Sequence, residues 1–163
     1  MFIPFLSHQL MEAGVFALGH LGVGNRDVTV HEKVYAGLAE FATKKNADLH
    51  FSIGEALSCL IGGWRSKALL KFSPPNSGVP MEVEGAGNPT MQLLLPKIIA
   101  DYANPLRPDY AQASCIWMLS IIKFNGTDPT LLPFLPTLHD KLTLFLSDRD
   151  GCFLHSLSLT TIL

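Results

Sequence analysis

The sequence predicts an all-α fold, a helical repeat array or α-solenoid fragment of about three to four helix pairs. Three observations carry that expectation. First, residues 51–61 (Phe-Ser-Ile-Gly-Glu-Ala-Leu-Ser-Cys-Leu-Ile) and residues 110–120 (Tyr-Ala-Gln-Ala-Ser-Cys-Ile-Trp-Met-Leu-Ser) match in plan. Each opens on a bulky residue, places small residues at the same offsets and then becomes almost wholly apolar. A helix with no polar face must be covered by other helices. Second, Leu-Leu-Pro-x-apolar occurs at 94–98 and again at 131–135, a spacing of 37 residues. That is slightly short of the about 40–47 residues of HEAT and armadillo repeats. Third, helical periodicity dominates, and strand-like alternation is never sustained.

The elements follow in order. A first helix spans about 8–22, with Leu10, Ala13, Ala17, Leu18 and Leu21 on its faces. Gly22-Val-Gly24-Asn25 ends it, since glycine and asparagine tolerate the left-handed cap conformation. A second spans about 29–45, opened by Asp27 or Thr29. Val30, Val34, Leu38 and Phe41 form its apolar stripe, and Lys44-Lys45 complement the dipole at its end. The third spans about 48–62, with Asp48 as N-cap and Gly62-Gly63 as stop. The fourth covers about 90–103. The fifth covers about 108–123, introduced by Pro108-Asp109. The sixth covers about 129–146, opened by Asp128-Pro129 as N-cap and first helical residue. Amphipathic helices thus alternate with nearly uniformly apolar ones. The prolines of the two Leu-Leu-Pro motifs predict a kink at the same place in successive units. Helices 48–62 and 108–123 are expected to form the inner layer, where Gly54, Ala56, Ala113 and Ser114 permit close approach.

Between them, residues 73–90 hold four prolines and three glycines, which reads as a flexible loop without a core of its own. The organisation expected is 1–63 as helix pairs, 64–90 as a flexible insertion, 91–150 as further helix pairs and 151–163 as an atypical end. Both ends lack polar capping repeats, so the isolated chain is expected to be prone to aggregation.

Composition narrows the function classes. Of 163 residues, 48% are hydrophobic and 16% charged, and the net charge is −2. That charge gives no electrostatic case for nucleic acid or an acidic membrane surface. The longest apolar run, about eight residues at 115–122, falls well short of the roughly 18 needed to span a bilayer. Cys59, Cys115 and Cys152 lie in apolar settings, and the N-terminus has no basic region of a secretory signal; a reduced intracellular setting fits both.

Chemistry-bearing residues are few. His139-Asp140 is the one pair that evokes a helical metal hydrolase, but no histidine lies between His50 and His139 to complete a cluster. A solvated polar face outweighs the metal reading. Cys59 and Cys115 lack a Cys-x-x-Cys partner and a basic neighbour to lower their pKa, which favours buried structural thiols. Gly22-x-Gly24 has no strand before it and reads as a helix stop, not a nucleotide loop. Glu55 is either a polar contact on the inner surface of the array or paired with a neighbour. Trp117 is more fitting as core than as a binding hot spot. The best candidate for a partner contact is the basic amphipathic piece 64–72, through Trp64, Arg65, Lys67 and Lys71. Its alternative is a crossover that packs Trp64, Leu69 and Phe72 back on the repeats. No cofactor and no catalytic or metal site is expected.

Phe51-Ser-Ile-Gly-Glu-Ala-Leu-Ser58, a long insertion and then Gln112-Ala-Ser-Cys-Ile-Trp-Met-Leu-Ser120 resemble the family of large HEAT-repeat proteasome adaptor and scaffold proteins. The resemblance covers about residues 10–148 and is most specific at 112–120. It implies a non-enzymatic scaffold that binds proteasome core and regulatory particles and supports their assembly, stability or tethering, in the cytoplasm and the nucleus. It also implies that the chain is an internal slice of a longer array. The pattern departs after Asp150, where Gly151-Cys-Phe-Leu-His replaces the next apolar helix, and a truncated end is expected there. The other functions weighed are a HEAT scaffold of a different complex and the His139-Asp140 hydrolase.

Overall fold

A computed structural model describes residues 4–25, 27–71, 88–103 and 108–147. The described residues form six α-helices: α1 (Pro4–Leu21), α2 (Val28–Ala39), α3 (Ala47–Gly62), α4 (Pro89–Tyr102), α5 (Pro108–Asn125) and α6 (Leu135–Ser147). Three short 3₁₀ segments, Gly63–Arg65, Lys67–Lys71 and Pro129–Phe134, complete them. There is no strand among the described residues.

The helices sort into two layers. α3 lies between α1 and α5 and makes its most extensive contacts with both. α2 and α4 touch each other and cover the inner layer, and α6 follows them over α5. Two complete pairs, α2–α3 and α4–α5, are therefore flanked by α1 on one side and α6 on the other. This is the stacking expected of a HEAT-like solenoid, with helices α3 and α5 in the inner layer.

The reason α3 can sit there is visible in its residues. Only Ala47, Asp48, Phe51 and Glu55 escape full burial. Close approach is made by missing side chains on each face. A Cβ on Gly19 of α1 would lie 2.6 Å from the Cα of Ala56, and a Cβ on Gly54 would lie 2.4 Å from Ser120 Oγ of α5. Around these crossings Ile53, Leu57, Leu60, Ile116, Trp117 and Ile121 are buried in one core with Leu38, Leu94, Leu95 and Leu131. Each large side chain so buried contributes roughly 1.5–3 kcal/mol.

Boundaries depart from the sequence expectation in instructive places. α2 stops at Ala39, not 45, because hydrogen bonds from Ala42 N to Ala39 O (3.0 Å) and Lys44 N to Phe41 O (3.0 Å) tighten the chain into successive turns. Lys44 and Lys45 thus follow the helix and do not cap its dipole. Asn46, not Asp48, caps α3, accepting from Leu49 N–H at 3.1 Å. Asp48 falls in the first turn, where its charge suits the helix dipole. Asp27 caps α2 as expected, through Thr29 N–H at 2.9 Å.

The expected sixth helix, 129–146, is divided: Pro129–Phe134 is 3₁₀ and the α-helix begins at Leu135. Pro133 and Pro136 deny two N–H groups to an α ladder there. The two Leu-Leu-Pro motifs consequently differ. Leu94, Leu95 and Leu131 are fully buried, whereas Leu132 is 59% exposed. Pro96 sits inside an α-helix and Pro133 inside a 3₁₀ segment, so the expected common kink is not repeated. Residues 72–87, most of the Pro/Gly-rich insertion, and residues 151–163 lie outside the description.

Candidate interaction surface

The 3₁₀ segments that follow α3 present the residues singled out for partner contact. Gly63, at φ +55°, turns the chain out of α3 in a conformation that favours glycine. Trp64 then lies over Gly24, at φ +76°, where an added Cβ would come within 3.1 Å of the indole. The indole remains 54% exposed. Lys67 is exposed, and Lys71 lies in the second segment with its side chain outside the description.

Arg65 is partly committed within the fold. Its Nη1 lies 3.7 Å from Oδ1 of buried Asp128. Asp128 also caps the Pro129–Phe134 segment, accepting from Thr130 N–H at 2.9 Å. Ala68 and Leu69 pack beside Cys59 and Phe124 and anchor the crossover, while half-exposed Trp64 rests on Gly24. Phe72 lies outside the described residues. The structure therefore gathers Trp64, Arg65 and Lys67 on one anchored turn, with Trp64 and Lys67 offered to solvent.

The anchor depends on polar residues that the sequence reading did not single out. The side-chain amide of Asn88 donates to Ile61 O, while its oxygen accepts from Met91 N–H at 3.2 Å to cap α4. The Asn125 amide donates to Ser58 O at 3.3 Å. These bonds tie the ends of α3 and α5 to the start of α4. Asparagine directly after a glycine-rich stretch, or at a helix end, was the available signal, but it does not name the carbonyl served.

His31 makes a similar tie. Its Nε2–H donates to Gly22 O at 3.0 Å, and Nδ1 accepts from the Thr90 hydroxyl at 3.2 Å. One neutral tautomer satisfies both contacts. His50 is fully buried, with Nε2 donating to Lys44 O and the ring edge-on to Trp117 at 5.9 Å. Burial pulls its pKa below the usual histidine value, with a smaller opposing effect of the Lys44 carbonyl.

The other residues weighed for chemistry are dispersed. His139 and Asp140 stand side by side on α6, 80% and 79% exposed. No three metal-ligating side chains gather among the described residues. Cys59 and Cys115 are buried free thiols, and burial pushes Cys115 up to about 11, leaving little thiolate near neutral pH. Cys152 lies outside the described residues. Trp117 is fully buried in the core, and Glu55 is half-buried in α3. No helix among the described residues is long and apolar enough to cross a membrane.

Comparison with known proteins gives this surface its context. No family model matches the chain, and no solved structure matches it significantly. Among curated proteins, it is 33% identical over 114 residues to proteasome component ECM29 of Saccharomyces cerevisiae, covering 69% of this chain and 6% of that protein. It is 24% identical over 152 residues to the proteasome adapter and scaffold protein ECM29 of Homo sapiens, covering 88% of this chain and 8% of that protein. The chain thus spans under a tenth of the length of these relatives. Over most of its own length, this chain is homologous to a part of the large HEAT-repeat proteasome adapter and scaffold family.

Proposed function

We propose that the chain is a non-enzymatic scaffold or adaptor segment that binds the 26S proteasome and supports its assembly, stability or tethering. The observation that carries this reading is the homology, which covers 69% and 88% of the chain, to relatives named as a proteasome component and a proteasome adapter and scaffold protein. The architecture is in keeping with it. Among the described residues most large apolar side chains form a stacked core, and the histidine, carboxylate and thiol groups do not gather in one place.

On this reading the partners are proteasome core and regulatory particles, met in the cytoplasm and nucleus. The turn bearing Trp64, Arg65, Lys67 and Lys71 is the contact, an exposed aromatic on a basic stretch of chain, facing an acidic partner surface. On this reading the helix pairs of the scaffold lie in 1–63 and 91–150, with 64–90 as an insertion between them and 151–163 as an atypical end.

The test is capture of purified 26S proteasomes on immobilised chain. Retention above a tag-only control is expected, reduced about tenfold by Trp64→Ala combined with Lys67→Glu. Absence of retention by the unaltered chain, with its helical melt intact, contradicts the adaptor reading. Undiminished retention by the double variant contradicts the placement of the contact.

A further inference from the structure

We propose that the groove between α4 and α6 is a docking site for a protein segment that presents a large apolar side chain beside a carboxylate. The argument comes from two junctions of the same layer that are closed differently.

At the α2–α4 junction the fold supplies everything itself. Tyr35 crosses from α2, donates its hydroxyl to Asp101 Oδ2 at 3.0 Å and meets Tyr102 edge-on at 6.5 Å. Beside it, Lys97 of α4 pairs with Glu32 of α2. One ring and one lysine–carboxylate pair thus close this step of the stack.

At the α4–α6 junction the corresponding space is an open groove of about 600 Å³. The α4 wall offers Pro96, Ile99, Ala100 and Ala103, none of which reaches across as Tyr35 does. The opposite wall offers Phe134, Thr137 and Lys141. Pro133 and Pro136 divide this stretch, and the more extensive contacts of α4 on that side are with the 3₁₀ segment. Lys141 is half-buried at the groove, and the ion pairs among the described residues, Arg65–Asp128, Lys97–Glu32 and His139–Asp140, do not include it. The open junction therefore has an apolar floor and a cation, and lacks the ring and the carboxylate that close its neighbour. A partner supplying those two groups is complementary in shape and charge.

The probe is the blocked dipeptide acetyl-Phe-Glu-amide, titrated into the whole chain and followed by amide NMR shifts. It needs no proteasome, so its outcome is separate from that of the adaptor reading. Shifts are expected at Ala100, Thr137 and Lys141. Binding is expected to weaken about tenfold in Lys141→Glu, in Ala100→Trp and when acetyl-Phe-Lys-amide replaces the probe. Ala100 is exposed and Lys141 half-buried, so both variants are expected to keep the parent melting temperature. If Ala100→Trp fails to fold, Lys141→Glu and the charge-reversed dipeptide still decide. No shifts, shifts elsewhere, or equal binding by the variants and by the lysine dipeptide overturns the proposal.

Discussion

Gly54 and Gly19 show how much of this fold turns on single atoms. A side chain at Gly54 has no room before Ser120, and one at Gly19 meets backbone of Ala56, which cannot rotate away. Gly19→Val and Gly54→Val are therefore expected to cost at least the 1–3 kcal/mol typical of overpacking, read as lost stability in denaturant melts. Ala113→Arg, at a fully buried position of α5, should unfold the stack, whereas Lys44→Ala, at an exposed one, should leave the melt unchanged. Gly54 and Ala113 were legible in the sequence as close-approach sites and Gly19 was not, and which residue opposed each was hidden, because crossing points depend on tertiary register. His50 gives a pH-dependent counterpart. Its ring is held neutral in the fold with a pKa below 6.5, and its Nδ1 has no buried partner. The stability it contributes is whole above pH 6.5 and is lost as pH falls through 6.5 toward the folded-state value, because the unfolded chain takes up the proton. Melting temperatures at about pH 7.5 and about pH 5 should converge in His50→Gln relative to the unaltered chain.

At the scale of elements, all six helices were foreseeable from apolar spacing, while caps and ends were less so. Asp27 and Asp128 were recognised as caps because each directly precedes an apolar-periodic run. Asn46 and Asp48 both suit an N-cap in sequence, an ambiguity that only backbone geometry resolves. The ending of α2 at Ala39 was hidden, since Glu40–Thr43 contains no glycine or proline to mark the turn. Asn88 joins two tasks, capping α4 and serving the carbonyl of Ile61. Asn88→Ala is expected to cost about 1–2 kcal/mol, more than a cap alone, measurable by urea titration. Asn88→Asp should keep the cap and lose only the bond to Ile61.

At the scale of the whole molecule, the solenoid class and the family were legible because buried helices repeat a recognisable pattern. The groove between α4 and α6 was not, since it arises from how the 3₁₀ segment places α6 and from no motif. Stacking also leaves apolar side chains on the flanks: Leu10 is 67% and Leu21 66% exposed on α1, and Leu144 48% on α6. Self-association rising with concentration is therefore expected in sedimentation runs, and Leu10→Lys with Leu21→Glu should suppress it. All of these expectations rest on α3 as a helix enclosed on both sides by α1 and α5. Native-state hydrogen exchange tests that most directly. The amides of Ile53 to Leu60 should exchange slowest, through global unfolding, with those of α1 and α6 faster. Exchange in α3 as fast as in α1 or α6 would contradict the two-layer stack.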